Sequence, residues 1–410
     1  MTRWLPAWEP AEGAARASAA FRERFDADPT GVWSAPGRVN IIGEHTDYNA
    51  GLCLPIALPH RTYVALRSRP DDVVRLASAK EADSGVVTLD LADVAPGTVQ
   101  GWVGYAVGVA WALREAGHAV SGFDAVVDSC VPYGAGLSSS AALECAVAIA
   151  LNDLHGLDLY DDAGRAHLAA LCVRAENEIA GTPTGGMDQA AALRCQAGHA
   201  LLLDNRDHSA RHLPFDLAAY GLALLVIDTR APHQLVDGQY AARRATCEQG
   251  ARVLGIGSLR EVNDLDSALD RLAAALPGDQ ADVVQARVRH VVRENARVEL
   301  VAALLEAGEV EQVGAVLTVA HASLRDDYEV SCRELDRAVD TAIAAGALGA
   351  RMVGGGFGGS AIALVRTADL DRVADAVATA FAIPGLTAPA FLVAEAAAPA
   401  SRTPDGRQTR

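Results

Sequence analysis

Seven consecutive residues, Gly134-Ala135-Gly136-Leu137-Ser138-Ser139-Ser140, follow an apolar strand-like run and open a longer apolar one. Glycine tolerates positive φ and lets backbone come close to a ligand. The first N–H groups of a helix have no intrahelical partner, and with the helix dipole they favour an anion such as phosphate. The three hydroxyls add donors and a hard-metal ligand. The same residues also read as a glycine turn with serine helix caps. A second segment, Gly37 to Asn49, crowds Arg38, Glu44, His45, Asp47, Tyr48 and Asn49 beside Ile41 and Ile42. Carboxylates and an imidazole suit the paired donors and acceptors of vicinal sugar hydroxyls. A charged surface loop with an internal ion pair fits that pattern too. Metal binding by His45 with Glu44 and Asp47 is disfavoured, because no second histidine lies nearby.

Two further segments carry less on their own. Asp188 ends a glycine-rich turn in Gly181-Thr-Pro-Thr-Gly-Gly-Met-Asp-Gln189, with Glu176 on the helix before it. A carboxylate there can be aimed into a cleft, or can serve the turn itself. Gly354-Gly-Gly-Phe-Gly-Gly-Ser360 can cover a ligand closely or form a hairpin.

The elements that must position these groups follow from hydrophobic periodicity. Helices are expected over 11–28, 99–117, 137–154, 161–180, 234–255, 265–275, 280–306, 309–325 and 369–381. Extended segments are expected over 31–40, 62–77, 123–130 and 221–228, after Gly346, and over 361–365. The glycine–serine segment therefore joins a strand to a helix. Strands and helices mix without strict βαβ alternation, so the expected class is α+β and not a doubly wound sheet. At roughly 150 residues per domain, 410 residues suggest two or three domains. The polar, proline-containing stretch from Asp204 to Pro214 is read as the boundary, giving domains 1–210 and 211–396. The small, polar residues 397–410 are expected to be a disordered tail.

Composition narrows the function classes. Half the residues are hydrophobic and 21% are charged, enough for sizeable cores. A formal net charge of −17 disfavours nucleic acid and anionic membrane as partners. Lys80 is the only lysine, and it does not sit in a GxxxxGK[ST] frame, so ATP would have to bind without a P-loop. The seven cysteines are scattered with no CxxC pair, as expected of free thiols in a reducing cytoplasm. No apolar run has the length of a membrane span or a signal-peptide core. The expected location is cytoplasmic, and the expected assembly a monomer or weak homo-oligomer.

The order of the segments carries a resemblance that none has alone. GRVNIIGEHTDYNAG, from Gly37, closely resembles the galactokinase signature. VPYGAGLSSSAA, from Val131, resembles the ATP-binding motif of the wider GHMP kinase family, and GGGFGGSAIAL, from Gly354, its C-terminal motif. GTPTGGMDQ, the stretch from Gln239 to Glu248 and the segment 321–336 are similar to the family as well. The resemblance implies a two-domain α+β fold with the active site in the cleft between domains. It implies ATP as co-substrate on residues 134–140, with Mg²⁺ held by Ser140 and Glu176. Glu44, His45, Thr46, Asp47 and Tyr240 would contact galactose. Asp188 would be the catalytic base and Arg38 the stabiliser of the transition state, giving α-galactose 1-phosphate. A kinase for a related sugar, such as N-acetylgalactosamine or arabinose, and a non-catalytic sensor are the alternatives. The presence of Arg38, Ser140, Glu176 and Asp188 argues against the sensor. One departure is Thr184-Gly185-Gly186, where many relatives have Cys-Gly-Ile.

Overall fold

The strand Gly31–Asn40 is buried at every residue and pairs antiparallel with Pro55–Ser68, which pairs in turn with Phe123–Ser129. Both faces of this sheet are covered, so its central strands do not alternate buried and exposed residues, and even Arg38, Arg61 and Asp124 are buried. The helix Pro10–Phe25 lays Phe21 on one face, against Tyr63, Ala65 and Val126. The helix Ser139–Leu154 lies on the other; it is buried from Ala141 to Asn152, and apart from Glu144 and Asn152 that span is apolar on every side. Val73–Ser78, Val87–Asp90 and the short Ser401–Arg402 complete six strands. This computed structural model describes residues 2–80, 85–231 and 236–404.

A five-stranded sheet forms the second half, in the order Arg3–Trp4, Ala390–Ala394, Leu222–Asp228, Ser360–Arg366, Gly349–Val353. The glycine segment 354–359 is the hairpin between its last two strands. A small sheet of Leu52–Cys53, His199–Asp204 and Ser209–Pro214 lies between the halves. One continuous apolar cluster joins them, from Val39, Ile41 and Leu54 through Val298 and Leu317 to Ile362 and Leu392.

The mixed sheets bear out the α+β expectation, with corrections to the domain limits. A boundary at 210/211 falls inside the strand Ser209–Pro214, so the chain crosses to the second half only after that hairpin. Each end of the described chain belongs to the opposite half: Arg3–Trp4 pairs with Ala390–Phe391, and Ser401–Arg402 pairs with Trp33–Ser34. The described part of the expected disordered tail, 397–404, is therefore ordered. Its carbonyls at Ala398 and Pro399 accept from the buried Arg61 guanidinium at 2.8 Å each. The helix Arg333–Ala344 was not anticipated. All seven cysteines are free. Among the described residues no helix is long and apolar enough to cross a membrane.

Candidate active site

A β-bulge sets the first functional group. Register between Gly31–Asn40 and Pro55–Ser68 shifts between Pro36 and Arg38. Gly37 sits there because a Cβ would lie 2.7 Å from the Leu137 carbonyl oxygen. Bulges re-aim side chains, and this one is followed by Arg38. Its Nε and Nη2 donate to Asp188 Oδ1 and Oδ2 at 2.8 and 3.0 Å, and its Nη1 donates to the Gly136 carbonyl at 2.6 Å. Asp188 lies in the first turn of the helix Met187–Arg194, and the Ser138 hydroxyl donates to its Oδ2. Ser138 reaches it from a left-handed conformation, φ +60°, directly before the helix Ser139–Leu154.

Arg38 and Asp188 line a cavity of about 140 Å³ together with Glu44, His45, Asp47, Glu176 and Tyr240. Seven expected site residues from distant parts of the chain thus share one wall. Glu44 is fixed from the second half: its Oε1 accepts from the Gly354 amide at 2.9 Å and faces the buried Arg351 guanidinium at 3.3 Å. Burial nevertheless raises its pKa, against the pull of Arg351. Burial lifts Asp47 to about 6, with Asp188 adding to the rise. Asp47 packs so closely on the next turn that a Cβ at Gly185 would meet its Oδ2 at 2.1 Å. Burial, assisted by His290, drops His45 to about 3, so its ring is neutral.

The glycine–serine loop borders this cavity through Arg38 and Ser138. Gly134 and Gly136 both take φ +71°, a conformation costly for other residues. The glycine hairpin of the second half closes against it: Ser360 donates to the Ala135 carbonyl at 2.6 Å, and a Cβ at Gly354 would lie 3.1 Å from the Gly136 carbonyl oxygen. Glu176 sits where the helix Asp162–Arg174 widens into a π-helical turn, Ala175–Ala180. Such turns recur at functional sites. Gly104 and Gly108 let the neighbouring helix pack directly on it. Glu176 is held at about 7, raised by burial and then by Asp188, and drawn back by a hydrogen bond with Ser140. Among the described residues no three of His, Cys, Asp and Glu group as a metal cage. A hydroxyl beside one buried carboxylate fits an ion that takes its remaining ligands from phosphate and water, as Mg²⁺ does.

Three family models match in the order of these features: the galactokinase galactose-binding signature over residues 19–68, the GHMP kinases N-terminal domain over 104–196, and the GHMP kinases C-terminal model over 300–383. The galactokinase of Streptomyces coelicolor is 56% identical over 384 residues, 93% of this chain and 96% of its own. The chain belongs to the galactokinase family. That of Mycobacterium tuberculosis is 45% identical, over 87% of this chain and 95% of its own. The crystal structure of Lactococcus lactis galactokinase complexed with galactose superposes with a TM-score of 0.86 at 32% identity, covering 94% of this chain and 98% of that one. The L. major mevalonate kinase shares the fold alone, at TM-score 0.58 and 18% identity.

Within this galactokinase-family site, one expected contact lies apart. Thr46 is fully buried and its hydroxyl donates to the Gly43 and Leu52 carbonyls, at 2.8 and 2.7 Å. It braces the turn and does not line the cavity. Sequence reasoning also missed contributors. Pro183, Thr184 and Met187 line the cavity, as do Gly354 and Gly355; their two segments stood out in the sequence, but these residues were not assigned to the site. Ser138 was placed on the phosphate loop without its bond to Asp188. Arg351 gave no signal, because an arginine inside a strand reads as an outward-facing residue.

Proposed function

We propose that this chain transfers the γ-phosphoryl group of ATP to the anomeric hydroxyl of galactose, releasing α-galactose 1-phosphate and ADP. The observation that carries the reading is the two-point Arg38–Asp188 pair, set between a wall of sugar-binding groups and a loop that opens a helix. Phosphoryl transfer needs positioning and charge neutralisation more than covalent chemistry.

In this reading Glu44, His45, Asp47 and Tyr240 hold the sugar so that its anomeric hydroxyl meets Asp188. Asp188 orients that hydroxyl and accepts its proton as the oxygen bonds phosphorus. Arg38 offsets charge on the transferred group. Its bond to the Gly136 carbonyl ties that charge to the loop carrying the nucleotide. Residues 134–140 hold the phosphates through first-turn amides and the helix dipole. Ser140 and Glu176 would hold Mg²⁺, which would supply neutralisation of phosphate charge.

The test is a sugar panel with ATP and Mg²⁺, reading ADP release. Galactose is expected to give the highest kcat/KM. Turnover of N-acetylgalactosamine or arabinose without turnover of galactose would reject the assignment.

A further inference from the structure

His45 is the end of a hydrogen-bonded chain that crosses between the two halves of the molecule. Its Nδ1 lies 2.9 Å from the Tyr48 hydroxyl. That hydroxyl lies 2.8 Å from the Tyr328 hydroxyl, which lies 3.0 Å from Cys247 Sγ. His45 and Tyr48 belong to the N-terminal signature, whereas Cys247 and Tyr328 come from the second half. Both were singled out in the sequence only as family-like stretches, and the reaction above uses neither. Tyr328 is held firmly: Arg243 donates to its carbonyl at 2.8 Å, and Arg287 donates to the carbonyl of Asp327 and to the Glu329 carboxylate. At the other end of the chain, the His45 ring lines the cavity, and its Nε2 is buried without a partner among the described residues.

We propose that Cys247, Tyr328 and Tyr48 form a positioning relay that fixes His45 as its Nε2–H tautomer, so that it presents an N–H donor to an acceptor oxygen of the sugar. This rests on the galactose-kinase reading for the identity of the ligand.

Counting protons leaves the relay two directions. Each tyrosine hydroxyl has one proton to donate, so the chain runs wholly one way or wholly the other. A thiol is a weak donor and a weak acceptor, with one hydrogen of its own. Burial pushes Cys247 up to about 11, which keeps that hydrogen in place, and the Asn49 side chain also hydrogen-bonds the sulfur. Asn49 in turn donates to the His45 carbonyl at 2.8 Å, fixing the same turn. In the proposed relay the retained thiol hydrogen goes to Tyr328, Tyr328 donates to Tyr48, and Tyr48 to Nδ1; the tautomer measurement below decides between this direction and its reverse. A neutral ring that accepts at Nδ1 carries its proton on Nε2.

The experiment combines ¹⁵N-histidine NMR with kinetics, the His45 resonance being assigned by its loss in His45→Gln. Wild type is expected to show protonated Nε2 and unprotonated Nδ1. Tyr48→Phe should mix the tautomers and raise KM for galactose about threefold to tenfold, the worth of one neutral hydrogen bond. In that variant kcat and KM for ATP should stay within about twofold, a split that general loss of structure would not produce. Cys247→Ala should shift the tautomer in the same direction and Cys247→Ser restore it; this pair carries the test if Tyr48→Phe does not fold. A wild-type ring protonated at Nδ1 would overturn the relay. So would unchanged galactose KM in both Tyr48→Phe and Cys247→Ala while wild type turns galactose over. Absence of galactose turnover in wild type would instead strike the kinase reading, and the tautomer measurement would still judge the relay.

Discussion

Arg38 and Asp188, 150 positions apart in the chain, meet in a two-point ion pair with contacts of 2.8 and 3.0 Å. The bulge after Pro36 aims one partner and the glycine turn before Met187 aims the other. The pair is also tied to the glycine–serine loop, by Ser138 at the carboxylate and by the Gly136 carbonyl at the guanidinium. Arg38, Asp188 and the 134–140 loop are thus held in one frame. Asp188→Ala should lower kcat at least about 100-fold, the low end of a general-base contribution. Steady-state kinetics beside a nucleotide titration checks this, since nucleotide affinity should hardly move. Near-normal turnover would remove Asp188 from the mechanism. Arg38→Ala should slow turnover similarly and cost about 1–2 kcal/mol of stability, because it strands a partly buried carboxylate.

Gly185 is a second point where geometry dictates outcome. With a Cβ due 2.1 Å from Asp47 Oδ2, Gly185→Ala must displace that carboxylate. Displacements of about 1 Å in a positioning group can cost on the order of 100-fold. The loss should appear in kcat/KM for galactose, with KM for ATP within about twofold. Equal effects on both substrates would show that the loop, not Asp47, had been disturbed.

Asp47 also makes stability depend on pH. Its folded pKa is raised from 3.8 to about 6, by burial first and by Asp188 second. Within that window the unfolded chain releases the proton and the folded chain keeps it, so stability falls as pH rises, and the penalty is complete above about 6. Asp47→Asn should therefore stabilise the ligand-free protein at pH 7 by roughly 1–3 kcal/mol while weakening galactose binding. The gain should shrink as pH falls below about 6. Chemical denaturation at pH 7 and pH 5 tests this; an equal gain at both would contradict the titration.

Much of the site was legible because its chemistry is local. Arg38, Glu44, His45 and Asp47 fall within ten residues of one another, and Asp188 and the serine loop each stand beside glycines that only a tight turn explains. What brings them together was less legible. Arg351 pairs with Glu44 across 307 positions, and no local pattern reports a buried arginine's partner. Thr46 has the residue type of a sugar ligand, yet its hydroxyl is consumed by two carbonyls. The Asp204–Pro214 stretch looked like a linker because its turn is polar, although its flanks are paired strands. The crossed termini are two-residue strands, held by backbone bonds that composition does not reveal.

Residues 397–404 brace the first half of the molecule. Deleting residues 397–410 would remove the Ala398 and Pro399 acceptors of Arg61, the Ala400 acceptor of Arg165, and the pairing of Ser401–Arg402 with Trp33–Ser34. A loss of at least about 2 kcal/mol is expected, since a buried guanidinium loses two partners. Denaturant unfolding of the shortened chain measures it; an unchanged midpoint would mean that these contacts contribute nothing.

The most direct measurement is ³¹P NMR of the purified protein incubated with galactose, ATP and Mg²⁺. Phosphorylation of the anomeric hydroxyl should convert ATP stoichiometrically into ADP and a single sugar phosphate, whose ¹H spectrum carries the α-anomeric proton coupled to phosphorus. The same mixture with Asp188→Ala should show ATP essentially unchanged. A phosphate on another hydroxyl of the sugar, or inorganic phosphate alone, would contradict the assignment.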